Sequence, residues 1–291
     1  MERDTKGNAT ISLNAPQETD TEIVSGSDYL KYKSDLKKII RVAVTLSYHM
    51  NGTKTENGRQ YWSSILFTKL VVSSITLKEI CPSPGKNSHW DFSSVASIAR
   101  SNAELWLFFV WLCVETIDDD EWYFRIRVFW LMDNRARFRL MEEIGDDPKE
   151  HEYLQRQIEI RHELDRSKIF RSLTDKRKNE IMKGDKHPYI QDEILDRIGK
   201  DKKNFRGYYR YLSSFVHTGP VSVFRMQEHN RGNGDENPYD RSAISAAIMF
   251  SGSILAACID QMMALHPDAA VKTIQNIGQD TIELINSFKA S

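Results

Sequence analysis

The residues that punctuate and cross-link a fold are scarce here: 14 glycines, 8 prolines and 3 cysteines in 291 residues. Cys81, Cys113 and Cys258 lie far apart, odd in number and in no metal or redox spacing, which excludes a disulfide framework. No stretch of alternating polarity survives between turn signals, so a strand-rich fold is excluded too. A glycine-rich loop able to cradle phosphates is missing, which argues against an ATP- or dinucleotide-binding fold. Charge of one sign is also missing. The formal net charge of -1 gives no global pull toward nucleic acid or an acidic membrane, so any phosphate-binding surface must be local.

No charged-then-apolar leader opens the chain, so Asn8 and Asn51, each in an Asn-x-Thr context, are not expected to carry glycans. The apolar run from Leu105 to Val114 is much shorter than the roughly 20 residues that span a bilayer. Ala243 to Leu265 is long enough, but its three serines, Gly252 and Asp260 suit tight packing in a buried soluble helix. The expectation is a cytoplasmic protein without a membrane span.

What is present is helical periodicity. Residues 1–26, rich in Thr, Asn, Glu and Asp, read as a flexible tail, and residues 27–291 as one all-α, multi-helix bundle domain. About nine or ten helices are expected. Asp91 and Asp118 look like N-caps, and Gly145 before Pro148 like a stop. The charged segment 149–173 reads as one helix, 221–240 as a polar connection, and 241–265 and 268–289 as the closing pair.

The run Asn204 to His217, placed on a helix at about 100° per residue, separates into two faces. Phe205, Tyr208, Tyr209, Leu212, Phe215 and Val216 share one side. Arg206, Arg210, Ser213 and His217 form a polar stripe on the other. Two guanidiniums, a hydroxyl and an imidazole are the parts needed to hold a phosphate and move a proton beside it. Any amphipathic helix has a polar face, so a solvated surface explains the same pattern. Inside the apolar helix after Asp91, Ser97, Arg100 and Glu104 make a narrow polar stripe, with Arg100 and Glu104 four apart. Either this is a structural ion pair, or it shares a cleft with the first stripe. In the cleft reading Glu104 orients His217, and Arg100 and Arg210 grip one anion.

Arg210-x6-His217 resembles the Arg-x(4–6)-His signature of the all-α HEPN superfamily. Many of its members are metal-independent RNA-cleaving toxins or phage-defence effectors, often with a composite site across a dimer. Tyr211 stands where that superfamily usually has a polar residue, and the spacing is at the long end. A wider resemblance joins Arg100-Ser101-x-x-Glu104 with Tyr209-x-x-Leu212-Ser213-x-x-x-His217. It is similar to a bacterial family of helical proteins of unknown function, and implies that Arg100, Glu104, Ser213 and His217 belong to one feature.

The resemblance implies a metal-independent endoribonuclease with catalytic His217 and Arg210, supported by Arg100, Glu104, Ser213 and Arg206. A 2′-hydroxyl attacks its own phosphodiester when a base takes its proton and cations stabilise the phosphoryl oxygens. On a helix, however, Arg210 and His217 stand about 10 Å apart along the axis, so a substrate or a second subunit must bridge them. The implied partners are RNA, a second copy of the chain, and a protein partner such as an antitoxin; no metal, cofactor or membrane is expected. The alternative is a non-catalytic binding or scaffolding module in a stress-response or defence system.

Other constellations explain less. Ser213 and His217 as a nucleophile–base pair lack nucleophile-elbow glycines. His151 and His162 lie about 16 Å apart on a helix, too far to share a metal ion. The basic stretch Arg166 to Lys178 reads as a solvated surface, and the arginines between Arg125 and Arg139 scatter around their helix.

Overall fold

The computed structural model describes residues 23–85, 88–145, 150–184, 189 and 191–290, together with 2–3 and 9–10. Side-chain caps set the early helix boundaries. Ser25 accepts the Asp28 amide and opens α1 (Gly26–Met50). Asn57 opens α2 (Gly58–Ile80), Asp91 opens α3 (Phe92–Phe109) and Asp118 opens α4 (Asp119–Ile144) in the same way. Gly145, at φ 107°, ends α4 in a backbone region that other residues rarely enter. Between them, α3 runs straight into a π turn, Val110–Val114.

The later elements are mostly shorter. They are α5 (Glu150–Arg166), α6 (Lys168–Ser172), α7 (Asp175–Lys183), α8 (Gln191–Arg197), α9 (Lys202–Val216) and α10 (Pro220–Arg225). Then come the long α11 (Pro238–Leu265), α12 (Pro267–Gln275) and α13 (Gln279–Ala290). Apart from a two-residue antiparallel pairing of Glu2–Arg3 with Ala9–Thr10, the described chain is all-α.

Among the described residues thirteen α-helices replace the expected nine or ten, for three local reasons. Ser167, in extended conformation, caps α6 and splits the charged segment in two. Pro220 starts α10 inside what reads as a loop. The break at residues 276–278 divides the last helix into α12 and α13. Of the expected tail, residues 1, 4–8 and 11–22 lie outside the described residues. Its end is tied down: the Val24 amide donates to Ser242 Oγ at 2.9 Å, and Arg241 Nε donates to the Val24 carbonyl at 2.9 Å.

The central bundle is α1, α2, α3 and α11, each packed on its neighbours. Residues Leu36, Ile39, Ala43 and Leu46 of α1, spaced three and four apart, give it one buried stripe. By contrast α11 is buried on most sides, which explains its lack of a polar face. It is long and apolar enough to cross a membrane, but 78% of its most apolar window is buried within the protein. A Cβ on its Gly252 would sit 2.5 Å from the Phe288 ring, so glycine there lets α13 dock closely. Each buried Leu or Ile in such a core contributes about 1.5–3 kcal/mol. The three cysteines are buried thiols, and burial pushes the Cys81 pKa up to about 12.

A second, smaller core lies off the bundle. Phe124, Val128 and Leu131 of α4 meet Ile160 and Leu164 of α5, Phe170 of α6 and Ile181 of α7. Helix α4 serves both cores, because Trp122 and Ile126 face the bundle instead.

Candidate functional site

Helix α9 begins where Asp201 accepts the Lys203 and Asn204 amides, and it packs antiparallel on α3. Three aromatic pairs set that register. Trp106 meets Phe205 at 6.0 Å, and Phe92 meets Tyr211 at 5.5 Å and Phe215 at 4.7 Å between ring centroids. The apolar face read from the sequence therefore is the face that docks, with Phe205 and Leu212 buried.

That docking brings the two motif helices together through Tyr209. Its hydroxyl donates to Glu104 Oε1 at 2.6 Å, while Arg100 Nη2 donates to the same carboxylate at 2.8 Å and to the Tyr209 oxygen at 3.2 Å. The Arg100 guanidinium also lies 5.3 Å from the Tyr209 ring centroid. Burial, and next the hydrogen bond to Glu104, raise the Tyr209 pKa above its usual value, so the phenol stays a donor. Tyr189 lies behind this triad, with its hydroxyl 3.5 Å from the Glu104 carbonyl and its own pKa raised by burial. Arg100 and Glu104 thus form an ion pair completed by a tyrosine from the facing helix.

The remaining stripe residues stand apart from this triad. Ser213 Oγ donates to the Tyr209 carbonyl at 2.7 Å, one turn back, as mid-helix serines commonly do. Arg206 is held by Asp192 at 3.3 Å and by the Lys202 carbonyl at 3.3 Å. Arg210 is exposed, and its guanidinium has no hydrogen-bond or ion-pair partner among the described residues. The helix stops at Val216, and His217 is its C-cap in extended conformation. The His217 imidazole is exposed and likewise without a partner among the described residues. Pro220 follows, and it cannot continue the helix.

His217 sits two turns beyond Tyr209, about 12 Å down the axis. Glu104 is consequently out of its reach, and the expected Glu104–His217 contact is replaced by Glu104–Tyr209. Arg100 and Arg210 likewise do not share one cleft, since Arg100 turns inward to Glu104 while Arg210 is open to solvent. Tyr209 is the residue that reading by face alone passes over. The usable signal is its hydroxyl, which on an apolar docking face needs a partner.

On another flank of α9 an open cavity of about 620 Å³ separates it from the start of α11. Tyr208, Tyr211, Tyr239 and Arg231 line it. Arg231, from the loop after α10, is 5% exposed and is anchored 3.7 Å from Asp240 and 3.4 Å from the Tyr211 hydroxyl. Asp240 is in turn held by the Gly232 amide at 2.8 Å and the Asn237 side chain at 2.6 Å. Among the described residues no cluster of His, Cys, Asp or Glu could hold a metal ion.

Comparison with known proteins finds no match among curated proteins and none among solved structures. A family of unknown function, DUF5677, matches residues 60–235, a span that contains α3, α9 and everything between them. Both halves of the Arg100–Glu104–Tyr209 triad fall inside that span, and the chain belongs to the DUF5677 family.

Proposed function

We propose that this protein is a metal-independent endoribonuclease resembling the HEPN superfamily, acting in the cytoplasm in a stress-response or phage-defence role. The observation that carries the reading is the free edge of α9. There Arg210 and His217 are exposed and, among the described residues, unpartnered, on a helix clamped to the bundle by Tyr209. An arginine kept free of carboxylates can stabilise charge on a phosphoryl oxygen, and an imidazole within reach of the substrate can serve as its general acid or base.

The two side chains lie about 10 Å apart along the axis, so one phosphodiester does not touch both from a single α9. A pair of chains meeting across this edge would set Arg210 of one against His217 of the other. Arg206 sits on the same stripe and would add a phosphate contact once released from Asp192.

A non-catalytic RNA- or protein-binding module is the second reading. It is favoured by the commitment of Glu104 to Tyr209 and of Ser213 to the backbone, which leaves His217 without an orienting carboxylate. The deciding experiment incubates the protein, His217→Ala and Arg210→Ala with total RNA in excess EDTA and maps the fragment ends. Cleavage by wild type alone, leaving 2′,3′-cyclic or 3′-phosphate ends, supports the nuclease. Intact RNA over a range of protein concentrations, with RNA retained in a filter-binding assay, favours the binding module.

A further inference from the structure

The cavity of about 620 Å³ between α9 and α11 is open because the facing helices put small residues there: Gly207 on α9, Ala243 and Ala246 on α11. Gly207 is the informative one. It sits in the interior of α9, where glycine weakens a helix relative to alanine. Its φ is not in the left-handed region, and a Cβ built on it meets nothing within 4 Å outside its own stretch of helix. Gly252 is the contrast, since its Cβ would strike the Phe288 ring. Neither backbone conformation nor helix packing accounts for a glycine at 207. What its missing side chain leaves is space, and that space belongs to the cavity.

The walls are aromatic, and none of the described residues lining the cavity is acidic. Tyr208 is 42% exposed and stacks on Phe250 at 5.3 Å between centroids and 19° between planes. Phe250 does not line the cavity, so it braces the ring from behind. Tyr239 is braced in the same way by His229, at 4.2 Å and 12°. Rings fixed like this are ready stacking surfaces for a further planar group. At the rim, the Lys203 and Asn204 side chains are exposed and have no partner among the described residues. A free amide, donor and acceptor at once, can read the edge of a base, and a free ammonium can meet a phosphate.

We infer that this cavity takes one unpaired base of a single-stranded RNA, stacked on Tyr208 with Asn204 at its edge, and that the flanking phosphates meet Lys203 and Arg210. The inference rests on the RNA reading of α9 and narrows the substrate of that site to unpaired RNA. Arg210 lies three residues past Gly207, about 4.5 Å along the axis, so a strand with a base in the cavity passes the free edge of α9. A duplex keeps its bases stacked inside and has none to place in such a recess.

Fluorescence anisotropy of the full chain with labelled 2′-O-methyl RNA pentamers, which cannot be cleaved through the 2′ oxygen, tests this. At one salt concentration the adenine or the uracil pentamer is expected to bind about tenfold or more tighter than an abasic pentamer with the same phosphates. Equal binding of the abasic pentamer would show cations alone at work and overturn the inference. Gly207→Leu fills the cavity and should erase the base-dependent part, while its thermal melt stays at or above that of wild type. Tyr208→Ala should reduce that part about tenfold. Undiminished base dependence in folded Gly207→Leu would also overturn the inference, and AMP or UMP competing as strongly as the pentamers would replace RNA by a free nucleotide. Since the probes are uncleavable, base dependence should persist in His217→Ala. Base dependence without any cleavage of natural RNA keeps this site and retires the nuclease; cleavage without base dependence does the reverse.

Discussion

Two arginine–glutamate groups sit at opposite ends of the same helical run, and they are built differently. In the first, Arg100 and Glu104 are four apart on α3, with side chains 24% and 37% exposed. Past the π turn, the Glu115 side chain is 5% exposed and meets Arg125, 4% exposed, at 2.6 Å. Arg197 reaches the same carboxylate at 2.8 and 2.9 Å, and Arg59 holds the Glu115 and Ile117 carbonyls. Arg125 also bonds Glu121 and the Trp111 carbonyl and lies over the Trp111 ring. The first group is a local pair completed by one tyrosine. The second draws on α2, α4, α8 and the end of the π turn, and ties the bundle to the start of the α4 arm. Water can replace a partner in the first group but not at the buried Glu115–Arg125 contact of the second, so the fold is fragile at Glu115 and forgiving at Glu104.

Removing the shared carboxylate of the buried group should therefore have the largest effect. Glu115→Gln removes the carboxylate buried between Arg125 and Arg197, leaving Arg125 only the more exposed Glu121 among the described residues, and is expected to cost about 3 kcal/mol or more in urea unfolding. A loss below about 1 kcal/mol would mean that the comparison is wrong and that Glu121 suffices for Arg125. Tyr209→Phe deletes only the hydroxyl that links the half-exposed pair to α9, and about 1 kcal/mol is expected by the same measurement. A loss as large as that of Glu115→Gln would make the motif triad, and not the buried group, the main clamp.

A third polar contact is expected to matter only in acid. His266, at the junction of α11 and α12, bonds Ser63 Oγ through Nε2 at 3.0 Å, and burial lowers its pKa below the usual value. The unfolded chain then binds this proton more readily than the folded one. Stability from His266 is full above about pH 6.5 and is lost as pH falls through the lower folded value. His266→Gln should flatten that part of a stability–pH curve measured between about pH 7 and pH 5. The smallest effect belongs to His217→Ala, whose exposed ring has no partner among the described residues. Its stability should stay within about 0.5 kcal/mol of wild type. Loss of RNA cleavage with unchanged stability would separate the free edge of α9 from the clamps that position it.

The ease of reading these regions from sequence follows the same division. Caps at Asp91 and Asp118, the stop at Gly145 and the docking face of α9 depend on neighbours within a turn or two, so spacing exposes them. So does the Arg100–Glu104 pair. Spacing cannot give Glu104 its third partner, because Tyr209 arrives from another helix through packing alone. The arginines of α4 look scattered on a helical wheel, yet Arg125 is the hub of a buried ion cluster, because Glu115 and Arg197 come to that cluster from elsewhere. The second core is hidden for a related reason. Phe124, Ile126 and Val128 alternate between two packing partners, which blurs the single stripe that marks a helix with one.

The π turn at Val110–Val114 is a phase adjustment in this scheme. It holds one residue more than an α-helical turn would need, and so rotates everything after it by about 100° relative to α3. Glu115 comes out of that turn facing Arg125 and Arg197. Deleting a single residue from the turn would restore a regular helix and swing the carboxylate away from both cations. In this stretch chain length itself is the constraint, and a one-residue deletion would do more harm than most substitutions.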